Sequence, residues 1–192
     1  MLTEDIAAGV AALARGEVIG FPTETFYGLG VDALDPAALE RLRACKGRGA
    51  EKAISVLVTE ALLETVVAEV SPAARALMAA HWPGPLTLAL PARPGLPEGL
   101  VMEGCVAVRW SPHPIAQALV AGLGRPITAT SANPAGAPPP STAAGVAAYF
   151  PDCLVVDGGQ TPGGLPSTLV RVRGDAVEVL RAGAVAISAP KR

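Results

Sequence analysis

The sequence is short of lysine, asparagine, cysteine and aromatic residues, and each shortage narrows what the chain can be. Only three lysines occur, Lys46, Lys52 and Lys191, and Asn133 is the sole asparagine. A genome favouring Ala, Gly, Pro and Arg codons, or a host that avoids thermolabile amides, accounts for such a depletion. Lysine and asparagine that survive it are then the better candidates for chemistry. Two of the lysines stand within seven positions of each other, and the asparagine sits in Ser131-Ala132-Asn133. The cysteines at 45, 105 and 153 show no CxxC spacing, and His81 and His113 are the only histidines. That argues against a structural zinc site, and an odd cysteine count argues against a disulfide framework. All three read as small buried apolar residues.

Other absences act on function. Aromatics make up 4% and the formal net charge is −2, which argues against a broad, sequence-independent nucleic-acid surface but leaves room for a local basic cleft. No apolar run is long enough to span a bilayer. The opening stretch MLTEDIAAGVAALARGE has no basic segment ahead of an apolar one, so it does not read as a secretory signal and a cytoplasmic protein is expected. There is no GxxxxGK[ST], so any ATP site is not a P-loop, and no GxSxG, HExxH or kinase-like set.

What is present is ample core material, 51% hydrophobic against 17% charged residues, and a length of 192 that fits one domain over 1–192. Helical spacing of Ile6, Val10 and Leu13 predicts a helix over 4–15, and Asp35-Pro36 an N-cap and first turn for a helix through Cys45. Further helices are expected from Thr59 to about Val70, from Ser71 to about Ala80, from Ser111 to about Gly122, and up to about Phe150. Strands are expected at 17–21, 54–58, 86–90, 105–110 and 126–130, with three closing strands in LVVDG, STLVRVR and AVEVLRAG. The order is mixed and ends in closely spaced strands, so the fold class is α/β or α+β around a large mixed, mostly antiparallel sheet.

Four stretches carry candidate chemistry. PTETFYGLGVDA (22–33) is a polar insertion offering Thr23, Glu24 and Thr25 after a proline, with Gly28 and Gly30 permitting close backbone approach. Read blandly, it is a connecting loop with Tyr27 half-buried. In ACKGRGAEKAISVLV (44–58), Lys46, Arg48 and Lys52 follow a helix end whose partial negative charge they offset. They also lead into a buried strand, which would hold them along one edge of a cleft suited to a triphosphate. ITATSANPAG (127–136) sets Ser131 and Asn133 at a sheet edge, where hydroxyl, amide and backbone N–H groups can take an anion. The fourth set is the strand arginines. Arg109 in VAVRW suits a carboxylate clamp, and Ser167 and Thr168 set hydroxyls at a strand start, whereas Arg171 and Arg173 read as a solvated face, and His81 and His113 as structural or surface residues. Together these describe a cleft for an anionic nucleotide and a small polar acid, without naming the reaction.

Seven stretches in register extend that reading: FPTETFYGLG (21–30), KGR with a lysine four residues on (46–52), WPGPLTLAL (82–90), VAVRW (106–110), TSANPAG (130–136), GLPSTLV (164–170) and VLRAGA (179–184). Over nearly the whole chain the sequence resembles the YrdC-like family of threonylcarbamoyl-AMP synthases. The resemblance implies a twisted mixed sheet with flanking helices and a concave, positively charged cavity. It implies that L-threonine, bicarbonate or CO2, and ATP with Mg²⁺ give threonylcarbamoyl-AMP and diphosphate. By the family pattern, Lys46, Arg48, Ser131 and Asn133 form the catalytic set. Arg48, Lys52, Ser131 and Arg181 hold ATP, and Thr25, Arg109 and Ser167 hold threonine, with no protein metal ligands. The product would pass to a tRNA threonylcarbamoyl transferase, with possible contact to tRNA or double-stranded RNA. Two departures stand out. Leu57 occupies a position where some members have a threonine-contacting His, so selection would rest on Thr25 and Ser167. Longer members also carry an additional C-terminal domain. The rival expectations are a non-catalytic double-stranded RNA-binding module and a paralogue that uses another carbamate.

Overall fold

Short polar residues ahead of each apolar run start the helices close to where the sequence predicts them. In this computed structural model, which describes residues 1–47 and 54–187, Asp5 caps α1 (Ile6–Ala14) and accepts from the Ala7 N–H at 2.8 Å. Asp35 does the same for α2 (Pro36–Lys46), with Pro36 in the first turn and Gly47 closing the other end. β1 (Leu2–Thr3) precedes α1, and β2 (Ile19–Pro22) and β3 (Tyr27–Gly30) run between the two helices. β3 corrects an expectation: YGLG is a wholly buried strand, and Tyr27 is buried rather than half-buried. Its hydroxyl bonds to Asp157, Gly158 and Gly159, which gives the buried ring its polar partners.

β4 (Val56–Leu57) precedes the segment expected as one helix from Thr59. That segment is instead a single 3₁₀ turn at Glu60–Leu62 and a one-turn α3 (Leu63–Val66), because Val67 turns away to bridge Ala92. Ser71 caps α4 (Pro72–His81), followed by β5 (Leu86–Pro91), β6 (Val101–Met102) and β7 (Cys105–Arg109). α5 (Pro114–Leu123) starts two residues later than expected. His113, not Ser111, is its cap, accepting from the Ile115 N–H through Nδ1 at 3.2 Å. β8 (Ile127–Thr128), β9 (Thr130–Ser131), α6 (Ala143–Tyr149), β10 (Leu154–Val156), β11 (Thr168–Arg173) and β12 (Ala176–Arg181) complete the chain.

The strands form two mixed sheets rather than one, a five-stranded sheet ordered β1-β10-β2-β3-β9 and a seven-stranded one ordered β12-β11-β5-β7-β4-β8, with β6 on β7. The stretch expected as a single strand at 126–130 joins them. β8 pairs with β4 in the larger sheet and β9 with β3 in the smaller, with only Ala129 between. Gly30 makes this junction possible, since a Cβ there would meet the Thr128 carbonyl oxygen at 2.5 Å and the Phe21 ring at 2.6 Å.

Two apolar clusters hold the layers. The larger unites Leu29, Leu39 and Leu42 with Val56, Leu88, Val108 and Val170; the smaller joins Leu13, Ile19 and Phe21 to Leu57, Leu119 and Ile127. Cys105 and Cys153 are buried as expected, while Cys45 is only half-buried, and none is in a disulfide. Burial pushes the Cys153 thiol up to about 12, so it stays a packing group at neutral pH. Among the described residues no helix is long and apolar enough to cross a membrane.

Candidate functional site

Where the two sheets meet, polar side chains form two walls. The first wall is built by the C-terminal turn of α2 and by β9. Lys46 is 6% exposed; its Nζ donates to Thr130 Oγ1 at 3.3 Å and to the Ser131 carbonyl oxygen. The ammonium therefore stands against the strand that carries Ser131, whose own residue is exposed. Asn133 turns back on the following loop, with Nδ2 donating to the carbonyls of Pro134 at 3.1 Å and Ala137 at 2.6 Å. Among the described residues its buried Oδ1 has no hydrogen-bond partner. Arg48 and Lys52, the other expected cations, lie outside the described residues.

The second wall rises from the larger sheet. Strand alternation places Thr87, Ala89, Ala107 and Arg109 on one face, paired across β5 and β7, so small side chains make a floor beside one long cation. Arg109 is 7% exposed, with Nη1 3.2 Å from Oε1 of Glu24, which reaches over from the β2–β3 turn. Ser111 donates to the other Glu24 oxygen and accepts from the His113 N–H at 3.2 Å. Beside this pair, Arg181 donates to the Ser167 carbonyl oxygen at 2.8 Å and to its hydroxyl at 3.2 Å. Thr87 completes the group at 2.8 Å from the Ser167 hydroxyl. Gly183 lets the chain fold back over this point, since a Cβ there would lie 2.2 Å from the Pro166 carbonyl oxygen.

Burial lowers the Arg109 pKa, against the raising effect of Glu24. Burial also lowers that of Arg181, and the charge of Arg109 adds to the effect. Both arginines stay charged at neutral pH, so two neighbouring cations share one carboxylate, that of Glu24 on Arg109. A site with that imbalance favours an added anion. The β2–β3 hairpin ties the walls together. Glu24 reaches Arg109, Gly28 pairs with Ser131, and Thr25, buried, has its hydroxyl 3.1 Å from that of Thr23.

Residues 11–183 match the Sua5_yciO_yrdC family model, which carries the description "Telomere recombination". The chain belongs to the Sua5/YciO/YrdC family. Threonylcarbamoyl-AMP synthase from Bacillus subtilis is 38% identical over 185 residues, covering 94% of this chain and 54% of that protein. The synthase from Chromohalobacter salexigens is 39% identical over 173 residues, covering 85% of this chain and 90% of that protein. The crystal structure of Sua5 from Pyrococcus abyssi complexed with L-threonine superposes with a TM-score of 0.86 at 36% identity, covering 93% of this chain and 54% of that one. The chain thus spans about half the length of several relatives that it matches.

Within this family member, the structure brings Arg109, Ser167 and Arg181 into one cluster and Lys46, Ser131 and Asn133 into the other. Leu57 is buried in the smaller apolar cluster with Phe21 and Leu119. Arg171 pairs with Glu103 and Glu178, as a surface residue would. Sequence reasoning named Glu24 within its motif without giving it a role, and passed over Ser111 and Thr87 as site residues. Glu24 had the best signal, an acidic residue flanked by two threonines inside a singled-out motif. Nothing in the linear sequence pairs Thr87 with Ser167.

Proposed function

We propose that the chain is an L-threonylcarbamoyladenylate synthase that makes threonylcarbamoyl-AMP and diphosphate from threonine, bicarbonate or CO2, and ATP. The observation that carries this reading is the buried Arg109 beside Arg181 and Ser167, a cationic cluster set across the hairpin from Lys46 and Ser131. It is the arrangement that two anionic substrates need if they are to meet. Arg109 takes the threonine carboxylate, and Thr25 and Ser167 offer hydroxyls to the rest of the amino acid. Arg48, Lys52, Ser131 and Arg181 hold ATP, and Lys46 lines the reacting centre. Asn133 acts there through the loop that its amide closes.

In the reaction, the threonine nitrogen attacks the carbon of bicarbonate or CO2 to give a carbamate, with loss of water in the bicarbonate case. A carbamate oxygen then attacks the α-phosphorus, and diphosphate leaves. Protein side chains form no covalent bond in this sequence. Their contribution is to hold two anions together and to stabilise charge at the phosphoryl group. In this reading Mg²⁺ enters with ATP.

On this reading the protein works in the cytoplasm, and its product goes to a tRNA threonylcarbamoyl transferase, with tRNA or double-stranded RNA as a further contact. Diphosphate release tests the reading directly, with threonine and bicarbonate each present or omitted. Release that needs both supports it. Release indifferent to threonine points to another carbamate, and folded protein that binds RNA without releasing diphosphate points to a binding module.

A further inference from the structure

Glu24 presents two carboxylate oxygens in different states. One is held by the Ser111 hydroxyl, which is itself fixed because it accepts from the His113 N–H. The other, Oε1, is buried and accepts no hydrogen bond among the described residues, although Arg109 Nη1 lies 3.2 Å away. The separation makes an ion pair, but the N–H does not point at the oxygen. Buried carboxylate oxygens are rarely left without a donor, because the lost hydration is not replaced. Here the unsatisfied oxygen lies beside the cation that our functional reading gives to the substrate carboxylate, and Glu24 shares its turn with buried Thr25.

We propose that Glu24 receives the α-ammonium group of the amino-acid substrate, so that the Arg109–Glu24 pair reads a zwitterion. This inference rests on the synthase reading and gives it a rule for specificity. An α-amino acid carries its two charges on one carbon, so its ammonium and carboxylate can address a carboxylate and a guanidinium that stand 3.2 Å apart. Arg109 has further donors for the substrate carboxylate, since its guanidinium carries five N–H groups and Nη1 is the nitrogen that faces Glu24. An acid of the same shape without an amino group would leave Oε1 unpaired. Discrimination would then follow from an unsatisfied buried acceptor, as it does in sites built to bond one polar substrate group.

Calorimetric titration of L-threonine and (R)-3-hydroxybutyrate, the same acid without its amino group, tests this on the wild-type protein, Glu24→Gln and Ser111→Ala. The wild type is expected to bind threonine at least about tenfold more tightly than hydroxybutyrate, as loss of a charged hydrogen bond implies. Glu24→Gln should lose about 10- to 100-fold for threonine, little for hydroxybutyrate and nothing for ATP. Ser111→Ala should show a smaller loss in the same pattern. Equal wild-type affinity for the two acids overturns the proposal without any variant having to fold. Equal losses for both acids in Glu24→Gln also overturn it, leaving Glu24 as a support for Arg109 alone. A folded wild type that binds neither acid fails earlier and removes the synthase reading itself.

Discussion

The two walls of the site are built in opposite ways. Lys46 stands on the last turn of α2, and the wall around it joins side chains to backbone: Lys46 to the Ser131 carbonyl, Asn133 to those of Pro134 and Ala137. Across the hairpin, Arg109, Glu24, Ser111, Ser167, Arg181 and Thr87 hold mostly one another, and the wall ends at the start of α5. A wall tied to backbone has its shape fixed by the fold and varies little with its ligand. A wall of mutually paired side chains is set by charge, and a ligand that changes the charge changes the pairing. On the proposed reading the first would hold the triphosphate and the second would select one small acid.

The sharpest break in that comparison comes from Lys46→Ala. Diphosphate release should fall by about 100-fold or more, the scale on which one preorganised electrostatic group acts in a transition state. Because the same ammonium braces β9, the variant should also lose about 1–3 kcal/mol of stability, seen as a lower urea midpoint. Unchanged release would make Lys46 a brace only. Arg109→Lys should act on the other wall and more selectively. Threonine binding weakens by about tenfold and ATP binding by no more than about twofold, because the planar fork is replaced by a point charge. Titration of each ligand separates the two losses, and equal losses would take the carboxylate from Arg109.

The same contrast explains what the sequence made legible. Lys46, Ser131 and Asn133 stood out because lysine and asparagine are scarce, and the capped helix before Lys46 follows local rules that a sequence displays. The strand ending in Arg109 was legible by alternation. Two things were not. YGLG lacks the bulky β-branched residues that mark a strand, and it is one because Phe21 and the Thr128 carbonyl occupy the space a side chain would need at Gly30. The change of sheet at Ala129 depends on partners 70 residues or more away, Ser55 and Val31 among them, so the run ITATS reads as a single strand. Glu24 was visible within its motif, but its role depends on Arg109 and Ser111, 85 and 87 positions further along.

The smallest expected effect tests what supports the second wall. His113 caps α5 through an unprotonated Nδ1, and its own N–H steadies the Ser111 hydroxyl beside Glu24. Burial lowers its pKa in the folded protein, with Glu24 partly opposing. The unfolded chain therefore takes up the proton first as pH falls, and stability is complete above the ordinary His range near 6.5 and declines below it. Between about pH 7 and pH 5, above the range where most carboxylates titrate, the loss should be at most about 1 kcal/mol, the worth of one helix cap. His113→Asn keeps a capping side chain that does not titrate, so it should flatten that slope in urea melts across the same interval. It should also leave threonine binding independent of pH there, whereas the wild type weakens as the Ser111 turn loosens. A slope unchanged in the variant would assign the titration to another group and leave the second wall resting on its charge pairs alone.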